Sequence, residues 1–158
     1  MLNVYTSQVV FKEIPDKISL AFSITGCGGP CPYCHSPFLH QKENVDPMSL
    51  DMFRNCIEPY QGMIEVVLFL GGEWEEDLID YLKLAKSLGF KTALYTELTL
   101  DKVDQALIDN LDYLKVGPYV QALGGLDKET TNQRLYEYSS KGVEDITYKF
   151  RRVRKEGF

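Results

Sequence analysis

The chain of 158 residues has the length of one domain and is too short for a complete eight-unit α/β barrel, which takes about 250 residues. With 44% hydrophobic and 25% charged residues, 12 Gly and 7 Pro, its composition is that of an ordinary globular protein and excludes a collagen-like or low-complexity chain. The formal net charge of −6 argues against nucleic acid as a partner, because binding to a phosphate backbone draws on Lys and Arg.

The opening segment, MLNVYTSQVVFKEIPDK, lacks the basic stretch and apolar block of a secretory signal, and no apolar run approaches the ~18 residues of a bilayer span. No membrane association is expected, and the expected compartment is the cytoplasm. Residues 17 to 24 (KISLAFSI) alternate apolar and polar and predict a strand, followed by a loop rich in Gly, Cys and Pro from Thr25 to Pro37. Met48 to Tyr60 predicts a helix, since Leu50, Phe53, Ile57 and Met52, Cys56 fall at spacings of three and four, with Ser49 as N-cap. Cys56 lies on its apolar face and reads as a packed thiol.

Glu65 to Leu70 (EVVLFL) is a short continuous apolar run, the sign of a buried parallel strand, and it enters a turn at Gly71-Gly72. A helix over 76 to 88 carries Leu78, Ile79, Leu82, Ala85 and Leu88 on one face, with Gly89 as its stop before the next strand, KTALYT. Asp101 to Asn110 reads as helical, and Tyr113 to Val116 as a strand closing at Gly117-Pro118. This order implies parallel βαβ units with right-handed crossovers, in a shortened α/β barrel or an open sheet. In both, ligands bind at the carboxyl ends of the strands, where the Cys loop, Gly71-Gly72-Glu73, Tyr95-Thr96 and Gly117 converge. No repeat or linker is visible, so residues 1 to 158 read as a single domain. Its only composition shift is the basic tail of about 149 to 158, a solvated surface able to dock an acidic partner.

Four cysteines in a chain without a secretory signal point to metal or redox thiolates rather than a disulfide framework. Three of them, Cys27, Cys31 and Cys34, form C-x3-C-x2-C on one loop shaped by Gly and Pro. Zinc sites usually pair ligands from two separate knuckles, whereas closely spaced thiolates on one loop suit an iron–sulfur cluster. Three ligands on a four-iron cluster leave one iron open to a small molecule. The same residues also permit a zinc site completed by His35; His40 reads as surface. In Gly71-Gly72-Glu73 the glycines allow close approach of backbone to a ligand, and the carboxylate can accept hydrogen bonds from an ammonium group. Without the Cys loop the same tripeptide would read as a plain turn.

The C-x3-C-x2-C spacing after the first predicted strand, with Tyr33 just before the last Cys, resembles the radical S-adenosylmethionine enzymes. That resemblance implies a truncated, partial TIM-like barrel of parallel βα units, with one 4Fe–4S cluster held by Cys27, Cys31 and Cys34. S-adenosyl-L-methionine would chelate the fourth iron through its amino and carboxylate groups. One electron would then break a carbon–sulfur bond to give a 5′-deoxyadenosyl radical. Gly71-Gly72-Glu73 looks like the family's motif for the amino group of the cofactor. Backbone near Tyr33 and His35 would position the cofactor as well. Tyr95-Thr96 stands where the family often contacts its ribose or methionine part, although Glu97 replaces a common Gly.

Three segments, IPDKISLAFSITGC, LKVGPY and TTNQRLY, extend a resemblance over nearly the whole chain to the activating enzymes of the anaerobic (class III) ribonucleotide reductases. The implied reaction removes a hydrogen atom from a glycine α-carbon of the reductase large subunit, leaving a stored glycyl radical, with a flavodoxin-like protein as electron donor. A partial barrel would leave one side open to so large a substrate. Alternatives are a small-molecule radical enzyme resembling the deazaguanine-forming synthases, and a zinc-binding interaction module.

Overall fold

The computed structural model describes residues 1–25 and 46–154. Its centre is set by four short strands in which nearly every side chain is buried: β2 (Ser19–Ile24), β4 (Val66–Leu70), β5 (Lys91–Tyr95) and β6 (Tyr113–Val116). Strands covered on both faces read as unbroken apolar runs, and these pair in parallel, β2 with β4, β4 with β5 and β5 with β6. Antiparallel strands extend the sheet on both sides. β1 (Leu2–Val10) runs against β2, and β3 (Asp46–Met48) runs against the start of β1. At the other end β7 (Arg134–Ser139) runs against β6, and β8 (Gly142–Asp145) returns from it through a two-residue hairpin.

The spatial order is therefore β3-β1-β2-β4-β5-β6-β7-β8. This corrects the expected truncated TIM-like barrel of parallel βα units: the sheet is mixed, and among the described residues nothing pairs β8 with β3 to close it. The reason is in the connections. A parallel neighbour needs a crossover long enough to return the chain, usually a helix, and β1 to β2, β6 to β7 and β7 to β8 have none.

Three helices cover one face of the sheet. α1 (Leu50–Ile57) starts at Ser49, whose hydroxyl accepts the Met52 N–H as an N-cap, and runs on into a 3₁₀ turn at Glu58–Tyr60. α2 (Leu78–Ser87) stops before Gly89 at φ 92°, and α3 (Gln105–Ile108) is a single turn capped by Asp104. The helix expected over 101–110 is thus broken, because Val103 is extended between a 3₁₀ turn at Leu100–Lys102 and the Asp104 cap. Phe22, Ile24, Val67, Phe69, Leu94 and Leu114 meet Phe53, Ile57, Leu78, Tyr81 and Leu82 in the larger core. Each such side chain taken out of water contributes about 1.5–3 kcal/mol. The opposite face carries Ala21, Val66, Leu68, Ala93 and Tyr113 under Val10, Ile14, Leu135 and Ile146. Phe150, on the final helix α4 (Tyr148–Arg154), packs there too, so the basic tail begins as a helix and not as free chain. No helix among the described residues is long and apolar enough to cross a membrane.

Candidate functional site

The carboxyl ends of β2, β4, β5 and β6 lie side by side, and the chain leaves each through a residue singled out above. At the end of β2, Thr25 donates its N–H to the carbonyl of Asn3 at 2.8 Å and its hydroxyl to the same oxygen at 3.3 Å. The segment that follows carries Cys27, Cys31, Tyr33, Cys34, His35 and His40, all of which lie outside the described residues. Its two stems are fixed nevertheless. Val4 of β1 is paired with Ile24 on one side and with Asp46 on the other. At one strand spacing each, the stems stand about 10 Å apart across β1.

The β4 turn leans on the first stem. Gly71 and Gly72 take φ of 86° and 105°, a region that side chains rarely adopt. A Cβ on Gly72 would lie 3.3 Å from the Ile24 side chain, and one on Gly71 would lie 2.8 Å from the far edge of the Trp74 ring. The Gly71 N–H donates to the Tyr95 carbonyl at 3.0 Å, which sets the turn against the end of β5.

Glu73 follows, half-buried. Its Oε1 accepts the Thr96 hydroxyl at 2.6 Å, and that hydroxyl accepts the Leu98 N–H at 3.1 Å. With the Leu98 donor on its lone pair, the Thr96 hydroxyl has its single proton directed at Glu73. The other carboxylate oxygen, Oε2, is buried and has no hydrogen-bond partner among the described residues. Burial pushes the Glu73 carboxyl above its ordinary pKa; the Thr96 bond and its own backbone oppose this, Glu97 adds to it, and Lys115 opposes it by its positive charge.

Sequence reasoning placed Tyr95 and Thr96 together, and the structure sends them to opposite faces. Thr96 meets Glu73. The Tyr95 hydroxyl instead donates to the Glu13 carbonyl, its ring packs in the smaller core, and burial holds its pKa well above the usual phenol range. What reaches the turn from Tyr95 is its backbone carbonyl. Cys56 packs against the larger core, where burial raises its thiol pKa and a hydrogen bond with Ser7 opposes the rise. Among the described residues no three His, Cys, Asp or Glu side chains stand together as a metal site, so a cluster would draw on the segment that begins after Thr25.

The two later segments, 115–119 and 130–134, prove to be one unit. Gly117, at φ 98°, would set a Cβ 3.2 Å from the Asn132 carbonyl, and Asn132 donates its side-chain amide to the Pro118 carbonyl at 3.0 Å. Lys115, which sequence reasoning did not single out, is buried at 6% exposure. Its ammonium donates to the Gly117 carbonyl at 2.9 Å and the Thr96 carbonyl at 3.3 Å, and lies 5.7 Å from the Tyr95 ring centroid. A lysine inside the otherwise apolar run YLKV was the signal available. Comparison with models of known families and with curated protein sequences finds no match to the chain.

Proposed function

We propose that this chain is a radical S-adenosylmethionine enzyme that generates a glycyl radical on an anaerobic ribonucleotide reductase. The observation that carries the reading is Glu73 Oε2, a buried acceptor without a partner among the described residues, on a glycine turn packed against the strand that leads into Cys27-x3-Cys31-x2-Cys34. A buried carboxylate oxygen left unsatisfied costs stability unless a donor arrives, and an ammonium group is the donor that suits it. These residues therefore fit the amino group of S-adenosylmethionine, and the three thiolates fit three irons of a 4Fe–4S cluster.

Each part of the chain then has its task. Cys27, Cys31 and Cys34 hold the cluster. Gly71 and Gly72 let the backbone approach the cofactor, Glu73 receives its ammonium, and Thr96 keeps the carboxylate turned with Oε2 available. Backbone near Tyr33 and His35 completes the cofactor contacts. When bound, cluster and cofactor together supply a 5′-deoxyadenosyl radical at the cost of one electron, drawn from a flavodoxin-like donor. No acid–base pair is required of the protein, whose work is orientation and the exclusion of water and stray hydrogen donors. The sheet stays open at both edges among the described residues, which supports access for a glycine loop of another protein.

The test is anaerobic iron–sulfur reconstitution, then electron paramagnetic resonance of the reduced protein with and without S-adenosylmethionine, with 5′-deoxyadenosine assayed in the same tube. The expected result is a cluster spectrum altered by the cofactor, 5′-deoxyadenosine formed, and a glycyl radical when the reductase is added. An iron-free, zinc-loaded protein indifferent to the cofactor would overturn the reading.

A further inference from the structure

We infer that Lys115 is a positioning residue for the ammonium site at Glu73, acting through a hydrogen-bonded path that runs from Gln133 through Gly117, Lys115 and Thr96 to the carboxylate. This rests on the reading of Glu73 as the acceptor of the cofactor's amino group. The path is continuous. Gln133 Nε2 donates to the Gly117 carbonyl at 3.3 Å, Lys115 Nζ donates to that same oxygen at 2.9 Å and to the Thr96 carbonyl at 3.3 Å, and the Thr96 hydroxyl donates to Glu73 Oε1 at 2.6 Å. Thr96 is held at every polar atom, since its N–H also donates to the Lys115 carbonyl at 2.9 Å and its hydroxyl receives the Leu98 N–H.

A buried lysine is expensive to keep charged, and this one lies among two carbonyl acceptors and an aromatic face that favour the ammonium form. Spending a buried charge on two backbone carbonyls fixes the ends of β5 and β6 relative to each other, and through Thr96 that restraint reaches the site. Lys115 has a second effect on Glu73, by charge. Among the described residues the groups that act on Glu73 from its surroundings are the Thr96 hydroxyl, the Glu97 carboxylate and the Lys115 ammonium; Glu97 disfavours the ionised carboxylate and Lys115 favours it. Without Lys115 the acceptor would be both less fixed and more readily protonated.

The experiment measures S-adenosylmethionine binding to the anaerobically reconstituted full chain by equilibrium dialysis across pH, with thermal melting and iron content as controls. Lys115→Met is expected to keep the cluster, bind the cofactor about tenfold more weakly, and lose binding on acidification at a higher pH than wild type, since the carboxylate protonates sooner. Lys115→Arg, which retains charge and donors, is expected to restore the pH midpoint. If Lys115→Met does not melt cooperatively, Thr96→Val against Thr96→Ser tests the next link, with only Ser expected to retain affinity. Wild-type binding with an unchanged affinity and pH midpoint in Lys115→Met, or in Thr96→Val where that substitutes for it, overturns the inference alone. A wild-type protein that loads iron but binds no cofactor overturns it together with the reading on which it rests.

Discussion

Thr96 and Glu73 come from the ends of neighbouring parallel strands and meet at 2.6 Å, hydroxyl to carboxylate, so that one oxygen of Glu73 is occupied and the other is buried with no partner among the described residues. The arrangement trades stability for a ready acceptor, and that trade can be measured.

Glu73→Gln is expected to melt at higher temperature than wild type at neutral pH in the absence of cofactor. An acid whose pKa is raised on folding costs stability as pH climbs from glutamate's ordinary value, about 4.3, through the raised one, and the amide has no such cost. Cluster loading should be retained while cofactor affinity falls by more than about tenfold, the loss of a charge-assisted hydrogen bond. Melting curves at pH 4 and pH 7 check the sign: the advantage of the variant should be present at the higher pH and shrink at the lower.

Gly72→Ala is expected to destabilise the fold by about 1–3 kcal/mol, since a side chain is forced to a φ of 105°. The new Cβ presses on Ile24 at 3.3 Å, at the stem of the segment bearing the cysteines. Urea titration reads the stability, and iron content after reconstitution reads the stem.

Phe53→Ala removes the hub of the aromatic cluster, whose ring centroid lies 5.1 Å from Phe22, 5.7 Å from Phe69 and 5.2 Å from Tyr81. A cavity of that size costs about 3–5 kcal/mol, and α1 should lose its hold on the sheet. Denaturant unfolding of the variant gives the figure directly.

Asp145 sits before α4, where its Oδ1 accepts the Thr147 N–H at 3.0 Å and hydroxyl at 2.6 Å while Arg134 pairs with Oδ2 at 2.8 Å. Burial acts to raise its pKa, but the Thr147 bonds and Arg134 outweigh it and hold the carboxyl below its usual range. A lowered acid stabilises above its unfolded pKa, near 3.9, and that contribution fades as pH falls through the folded value. Asp145→Asn should therefore match wild type in strong acid and fall below it above about pH 4. Thermal melts over that range would show a parallel offset at all pH values if Asp145 gave no ionic contribution.

The centre of the fold was legible because EVVLFL, KTALYT and YLKV are apolar runs that only a doubly covered strand explains, and Ser49 marked the start of α1 as its side chain does in the structure. The flanks were not. β1 shows its side chains largely to solvent from Tyr5 to Val9, β8 is exposed along its length, and neither carries the apolar pattern by which strands are recognised. Antiparallel direction was equally hidden, since it depends on the lack of a helix between Gly117 and Arg134 and not on any residue within a strand. At the site, the glycine turn and its carboxylate were visible as a motif. Lys115 was not, because its role depends on a carbonyl two residues on and another contributed by the neighbouring strand.

Val4 lies between the two ends of the segment that bears the cysteines, paired to Ile24 on one side and to Asp46 on the other. One strand thus pins the described residues on both sides of that segment, so the two points where the chain leaves and rejoins the sheet share a single support. A single break in the β1 ladder at Val4 would release both ends together.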